Sequence, residues 1–594
     1  MILQSLYNLY DRLVQATEYE VPKFGYSSQK MSFCIVIRLD GSLHEFEDAR
    51  YTNEKGKKIT TPFLVPGDAK PPGSGINPGF LWDNQTYMLG REPEDKKSDF
   101  GNDRFEAFRD RHLELEDVIQ SPRFSAVCRF LENWNPSTLA DHPRLEEVGT
   151  GFGVFQILGE KDYVHNDPLV IHYWEKALST LDSDNEGQCL ITGDKTTIAR
   201  LHPKIKGIAG AQAAGASLVS FNASAYESYG KEQSYNSPVS VEAAFKYGAA
   251  LNSLLTGPMS KRHRLRVGDT TCVFWTEKPS IIEDCLASIF GMGSQAKEEV
   301  QDETQRERIN RLLTAIRSGE AYQEFENVQP DTPFFILGLA PNAARLSLRF
   351  FIQSSIASLL SKLQYHQRCM QMVKEFPVAK GNRPPDPDFP AIWQILRETA
   401  RVSDEIQPLL GGALLRSIIE GTPYPEGLYT TILRRIHLDR HMNYIRAATL
   451  KAILSRNRHI VMNPSLDKNH PSPAYHLGRL FAVLEQSQKQ AHEFNLDRTI
   501  RESHFGSASA TPASVFPRLL RLHVHHLRKL SPGSKKYFED WAMEISQKFT
   551  SVEESPASYP TTLNLQEQGI FAIGYYHQMH EMRNKEKPES TESL

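Results

Sequence analysis

Cysteine is scarce in this chain: 594 residues hold six, at Cys34, Cys128, Cys189, Cys272, Cys285 and Cys369. None belongs to a C-x-x-C pair or a Cys-His cluster at metal spacing, so neither a disulfide scaffold nor a structural zinc is expected. Long apolar runs are lacking too. A membrane-spanning helix needs about 20 apolar residues, and the longest clean run, Phe334 to Pro341, is far shorter. Excess charge of either sign is also missing, since 68 Lys and Arg face 72 Asp and Glu for a net charge of −4. That balance excludes a uniformly basic nucleic-acid coat and an acidic disordered chain.

Catalytic signatures are equally thin. Gly210 and Gly215 stand at phosphate-loop spacing in GIAGAQAAGAS (Gly207 to Ser217), but Ala216 follows where nucleotide hydrolysis needs lysine. The segment reads instead as a loop whose glycines let backbone approach a partner closely. Gly149, Gly151 and Gly153 lack a strand-turn-helix frame. There is no H-E-x-x-H, no G-x-S-x-G and no paired carboxylate beside a Gly-Gly turn. His523, His525 and His526 interleave with Leu522, Val524 and Leu527 and have no carboxylate at ligand spacing, so they read as part of a packed helix. No metal, cofactor or catalytic residue is expected.

What is present is a globular composition, 40% hydrophobic and 24% charged, on a chain too long for one core. Met1 to Ala16 has the apolar spacing of an amphipathic helix and not the core of an export signal, so a reducing cytoplasm is the expected compartment. The first part mixes strand-like stretches such as Phe33 to Leu39 with turns. After Pro390 the periodicity is helical. Amphipathic patterns run over Ile392 to Val402, Leu409 to Ile419, Tyr429 to Leu438 and Tyr444 to Ser455. Four more, Pro473 to His492, Pro512 to Leu530, Lys535 to Phe549 and Leu565 to Arg583, predict a C-terminal four-helix bundle. The fold class is therefore α+β: a mixed α/β domain over 1–330, a mainly helical region over 331–461 and a helical bundle over 462–594. Gly291 to Gln305 and the proline-rich Gly381 to Pro390 read as linkers.

The positive charge is gathered locally. Lys195 to Tyr226 holds Lys195, Arg200, Lys204 and Lys206 with no acid. Ala243 to Gly268 holds Lys246, Lys261, Arg262, Arg264 and Arg266, again with none. Ser503 to Phe538 holds Arg518, Arg521, Arg528, Lys529, Lys535 and Lys536, also with none. In the third window Arg518, Arg521, His525 and Arg528 step by three and four along one helical face, while Phe516, Leu520, Val524 and Leu527 take another. Such a helix can pack inward and turn a basic stripe outward, either as a solvated surface or along a phosphate backbone. The first window runs into ESYGKEQSYNSP, which brings Gln212, Ser217, Ser220, Asn222, Ser224, Tyr226, Tyr229, Gln233 and Asn236 close in sequence. Amides and hydroxyls of this kind bond phosphates and base edges, and they also close their own turns.

Several segments in fixed order resemble a known family. They are INPGFLWDNQTYMLG (Ile76 to Gly90), the long stretch Cys189 to Ser240, VGDTTCVFW (Val267 to Trp275), FFILGLAPNAARLSLRFF (Phe334 to Phe351), and SASATPASVFPRLL with FAIGYYHQ near the end. Together they are similar to the large subunit of the type I-C CRISPR-associated Cascade complex, an RNA-guided DNA surveillance assembly of antiviral defence. The resemblance implies a non-enzymatic subunit near the 5′ end of the CRISPR guide RNA. Such a subunit recognises the protospacer-adjacent motif in double-stranded DNA, helps open that duplex, binds the displaced single strand and recruits the helicase-nuclease. Its further partners are the backbone and 5′-end guide-binding subunits and a small subunit, with no membrane. In such systems pairing with the guide reads sequence, and protein reads only a few base pairs.

On that resemblance the loop PGDAKPPGSGINP is the first candidate for motif recognition, Lys70 for a phosphate, Asn77 for a base edge, and Gly73 and Gly75 for close entry into a groove. Gln212 and its glycines are the second, as a minor-groove reader or strand-separating wedge. The DNA-binding set adds Arg200, Lys204, Lys206, Ser220, Asn222, Lys261, Arg262, Arg264, Arg518, Arg521 and Arg528. The resemblance also implies a small subunit translated from within this reading frame. Met462 stands before the bundle, and a product from Met462 to Leu594 has 133 residues. Two rival readings are a guide-RNA-processing endonuclease using a histidine of the last third, and an architectural scaffold that never touches DNA.

Overall fold

The computed structural model describes residues 1–52, 56, 58–67, 75–91, 100–142, 145, 151–179, 185–280, 282–283, 286, 303–320, 329–379, 381, 384–548 and 559–585. The chain divides into two units: Met1–Lys204 with Ser217–Ser253, and Ile205–Ala216 with Leu254–Leu594. No helix among the described residues is long and apolar enough to cross a membrane. The expected class holds, with a mixed α/β N-terminal region followed by a mainly helical one.

The first unit opens with α1 (Ile2–Gln15), which buries Leu6, Leu9, Tyr10 and Leu13. Its sheet is built from β1 (Tyr26–Ile37), β2 (Leu43–Asp48), β3 (Thr61–Pro66), β4 (Trp82–Asn84) and β5 (Phe152–Ile157). The order is β2-β1-β5-β4, with β3 on the other half of β1. β1 and β5 run parallel with Ile35 opposite Phe155, and the other pairs are antiparallel. The run FCIVI in β1 is apolar throughout because both faces are covered. Phe33, Ile35 and Ile37 join the core with Phe108 of α3 (Phe100–Leu113) and Phe124 and Val127 of α4 (Pro122–Asn133), while Cys34 and Val36 join Val65 and Trp82. A short helix, α2 (Gln85–Leu89), follows β4, capped by the Asn84 side chain.

In the second unit β6 (Arg264–Val267), β7 (Thr270–Thr276), β8 (Pro333–Asn342) and β9 (Arg345–Ser355) form an antiparallel sheet in the order β9-β8-β7-β6, extended past β9 by the short pair at Ile205 and Ala216. Phe274 lies opposite Ile336, and Ile336 opposite Ile352. The helices are α5 (Glu303–Ser318), α6 (Ile356–Met370), α7 (Ile392–Arg397), α8 (Pro408–Glu420), α9 (Glu426–Asp439), α10 (Tyr444–Asn457), α11 (Pro473–Ala491), α12 (Ile500–Ala510), α13 (Pro512–Leu527), α14 (Pro532–Ser546) and α15 (Leu565–Lys585). One hydrophobic core reaches from Leu265 in β6 to Met582 in α15, and buried Met462 belongs to it.

Among the described residues five helices follow Met462, and α12, which lies outside the four sequence patterns, is opened by the capping box that Thr499 makes with Glu502. The proline-rich stretch read as a linker is held at two places: Asp386 accepts from the Phe376 N–H at 2.8 Å and Arg317 donates to the Asp388 carbonyl at 2.7 Å. Gly291 to Gln305 lies outside the described residues as far as 302, and its last three residues begin α5. Buried polar groups tie the C-terminal helices together. Arg479 of α11, fully enclosed, donates to Gln578 of α15 at 3.0 Å and to Glu544 of α14 at 2.8 Å. Glu485 of α11 accepts from Tyr575 of α15 at 2.6 Å and from Thr499 at 3.1 Å. A buried charge is tolerated only with partners of this kind.

Candidate nucleic-acid interface

Lys70 and Gly73 lie outside the described residues. The chain from Gly75 onward is held by a set of anchors. The Tyr87 hydroxyl, on α2, accepts from the Asn77 N–H at 3.0 Å and donates to the Gly75 carbonyl at 3.3 Å. The Asp83 carboxylate accepts from the Gly79 N–H at 2.8 Å. Arg111 of α3 donates to the Pro78 carbonyl and lies 5.9 Å from the centre of the Phe80 ring. His112, one residue on, accepts from the Leu81 N–H through Nε2 at 3.0 Å and donates from Nδ1 to the Phe108 carbonyl at 2.7 Å. Burial pushes the His112 imidazole down to about 3, so it stays neutral and keeps that acceptor. Leu81 itself takes a φ of 63°. Held in this way by its backbone, Asn77 is exposed and its side-chain amide has no hydrogen-bond partner among the described residues. The anchoring residues Tyr87, Arg111 and His112 carry no sequence signal beyond their types. Only their spacing on α2 and α3 could have pointed to them.

The glycine-rich loop of the second unit is two consecutive turns, closed by Ala211 N–H to the Ile208 carbonyl at 3.1 Å and Gly215 N–H to the Gln212 carbonyl at 2.9 Å. Gly207, Gly210 and Gly215 all take positive φ, and Gly210 sits against Pro341 of β8. Gln212 is exposed with Ala213 and Ala214, and its amide has no partner among the described residues. Lys206 is exposed on the same segment. In the first unit Lys204 donates to Ser217 at 2.8 Å and Arg200 to Gln233 at 2.8 Å. Ser220 is half-buried and Asn222 exposed.

The second basic window is less available than its charge implies. Lys246 is held by Glu242 at 2.9 Å and Asp11 at 3.4 Å. Arg264 donates at 2.7 Å to the Leu255 carbonyl near the end of the helix Val241–Thr256, which places its cation at a helix C-terminus. Lys261 and Arg262 are exposed in the turn before β6.

In the third window, α13 exposes Arg518, Arg521, His525 and Arg528 together, and none of the three arginines forms an ion pair with a described residue. Pro512, Phe516, Leu519, His523 and Leu527 are the buried positions. At about 100° per residue these fall within one arc and the basic positions within another, and Val524 lies between them. Val524, read from the sequence as inward, is therefore 49% exposed. His523 takes the inward place because Ser487 of α11 meets its Nδ1 at 2.7 Å, and burial holds the imidazole down to about 4. The three neighbouring histidines thus part: His523 is buried, His526 faces the His492 ring at 5.9 Å and His525 points out.

The family model described as CRISPR-associated protein (Cas_Csd1) matches residues 6–583. The chain belongs to the CRISPR-associated Cas_Csd1 family. Among curated proteins none matches it. The matched span takes in every candidate residue of this Cas_Csd1 member, from Lys70 to Arg528. What the Cas_Csd1 chain offers at these places is one basic helical face, two exposed amides on anchored loops, and short basic segments.

Proposed function

We propose that this chain is the non-catalytic large subunit of a type I-C CRISPR RNA-guided surveillance complex. It recognises the protospacer-adjacent motif in double-stranded DNA, aids duplex opening, binds the displaced strand and recruits the helicase-nuclease. It does so in the cytoplasm, beside the guide RNA and the other Cascade subunits. Membership of the Cas_Csd1 family supports the assembly. The single observation that carries the DNA-binding part is the face of α13, where Arg518, Arg521 and Arg528 are exposed together without acidic partners among the described residues. Isolated guanidiniums spaced along one helix neutralise successive phosphates and release their counterions, which gives affinity without sequence preference. Sequence preference then falls to exposed amides such as Asn77, which bond base edges.

The test is a salt titration of target-duplex binding by the guide-loaded complex. Replacing Arg518, Arg521 and Arg528 together by alanine is expected to weaken binding and to flatten the slope of log affinity against log salt by about 2 to 3. An unchanged slope removes this helix from the DNA path. The non-catalytic part is tested by incubating the purified chain with repeat RNA, with and without divalent metal. The RNA is expected to stay intact, and cleavage that disappears on replacing His525 by alanine establishes the endonuclease instead.

A further inference from the structure

Residues 222–232 of the first unit are exposed without a break. At the tip of this excursion Ser228 and Lys231 form an isolated antiparallel bridge, closed by the Lys231 N–H to the Ser228 carbonyl at 3.0 Å. The two residues between them, Tyr229 and Gly230, take φ of 52° and 67°. Positive φ at both central places is the mark of a type I′ turn, whose first central place is normally filled by Asn, Asp or Gly. A side chain with a β carbon is strained there, and a ring gains nothing for the turn. Yet Tyr229 stands at that place with 98% of its surface exposed.

The turn is fastened from behind. The Asn236 side chain accepts from the Ser228 N–H through Oδ1 at 2.9 Å, and through Nδ2 it donates to the Lys231 carbonyl at 2.7 Å and the Gln233 carbonyl at 3.0 Å. Arg200 holds the Gln233 side chain in turn. The ring is thus carried on a braced support, at the place in the turn where it costs most and packs on nothing. On the exposed run itself Glu227 and Glu232 outnumber Lys231, so the tip is not a basic patch. Phosphate attraction cannot be its use, and the aromatic face is what remains.

We infer that Tyr229 is a stacking post for an unpaired nucleobase, set to receive a base where paired strands have parted. An unpaired base has an open π-face of matching size, and stacking on an aromatic side chain is tolerant of base identity. An intact duplex has no free face to give. The inference rests on the nucleic-acid reading above.

The experiment uses the guide-loaded complex with a labelled duplex and with the same duplex carrying a short unpaired thymine bubble. Tyr229→Asn places the preferred turn residue at the tip and deletes the ring, so its melting temperature should be no lower than that of the unaltered chain. It is expected to lower bubble affinity about 5- to 100-fold, leaving the paired duplex unchanged, whereas Tyr229→Phe keeps full affinity. The loss should be the same at ~50 and ~300 mM salt, because stacking releases no counterions. With 5-iododeoxyuridine in the bubble, light-induced coupling should mark the peptide containing Tyr229. An RNA strand of the same sequence serves as a second arm, and a loss on Tyr229→Asn confined to RNA assigns the base to the guide. Wild-type bubble binding by Tyr229→Asn, an equal loss on both DNAs, or coupling of a photoreactive residue at 229 only to neighbouring proteins overturns the inference. If the triple alanine change on α13 weakens both DNAs while Tyr229→Asn weakens neither, the DNA reading stands and this one falls. If the unaltered complex binds neither DNA, both fall.

Discussion

Tyr87 shows how a buried hydroxyl can prepare an exposed amide. By accepting from the backbone of Asn77 and donating to that of Gly75, it leaves the Asn77 side chain unengaged and turned out. On the reading that Asn77 bonds a base edge, Asn77→Ala should cost about 1–3 kcal/mol of discrimination, the worth of one good base contact. The guide-loaded complex, offered targets randomised at the adjacent base pairs, should lose its preference among them while keeping its melting temperature. Retained preference removes Asn77 from the motif. Tyr87→Phe deletes only the latch and should blunt the same preference by a smaller amount, since Tyr87 acts through the backbone it positions. Asn77 could be singled out from the sequence because a loop of glycine and proline must be irregular and exposed. The latch could not, because it depends on how α2 lies beside that loop.

At the scale of elements, the basic stripe of α13 was legible because 3.6-residue periodicity alone groups Arg518, Arg521, His525 and Arg528. Which apolar residues turn inward was not legible. Val524 sits at the edge of the buried arc, and Ser487 on α11 draws His523 into it. The contact of α11 with α15 is a second case. A β carbon on Gly478 would overlap the Phe571 carbonyl, and one on Gly574 would overlap the Tyr475 carbonyl, so each helix needs its glycine for the other to approach. Backbone cannot yield as a side chain can. Gly478→Ala and Gly574→Ala should each destabilise by about 1–3 kcal/mol or more. Urea unfolding of the full chain should show it, and a midpoint shift below that of an exposed control such as Gly427→Ala contradicts the close crossing.

Across the whole molecule, buried histidines couple stability to acidity. Burial holds His112, His366 and His577 down to about 3, and His165, His476 and His523 down to about 4. An unfolded histidine takes up its proton near pH 6.5, so between there and pH 3 the unfolded chain binds more protons than the folded one. Their contribution is complete above about pH 6.5 and is lost as the pH falls through that window. The melting temperature of the chain should therefore drop by roughly 10 °C or more from pH 7 to pH 5. A flat profile there means these imidazoles are protonated or exposed in the folded protein.

The near-neutral total of 68 basic and 72 acidic residues also changes meaning at this scale. Lys246, Arg264 and Lys535 are engaged within the protein, by Glu242, the Leu255 carbonyl and Glu539 respectively. The arginines of α13 are not paired with any described residue, so an acid-free stretch of chain is a free basic surface only where no acid arrives from elsewhere. The amino-acid sequence by itself determined the mixed first part and helical second part, the basic face of α13 and the exposed loops, because periodicity and turn chemistry act over a few residues. Only the tertiary structure decided which cations stay available, which histidine is buried and which glycines the crossing of α11 and α15 requires. Each of these depends on a partner brought close by folding, and burial and pairing are set by distance in space, not by spacing along the chain.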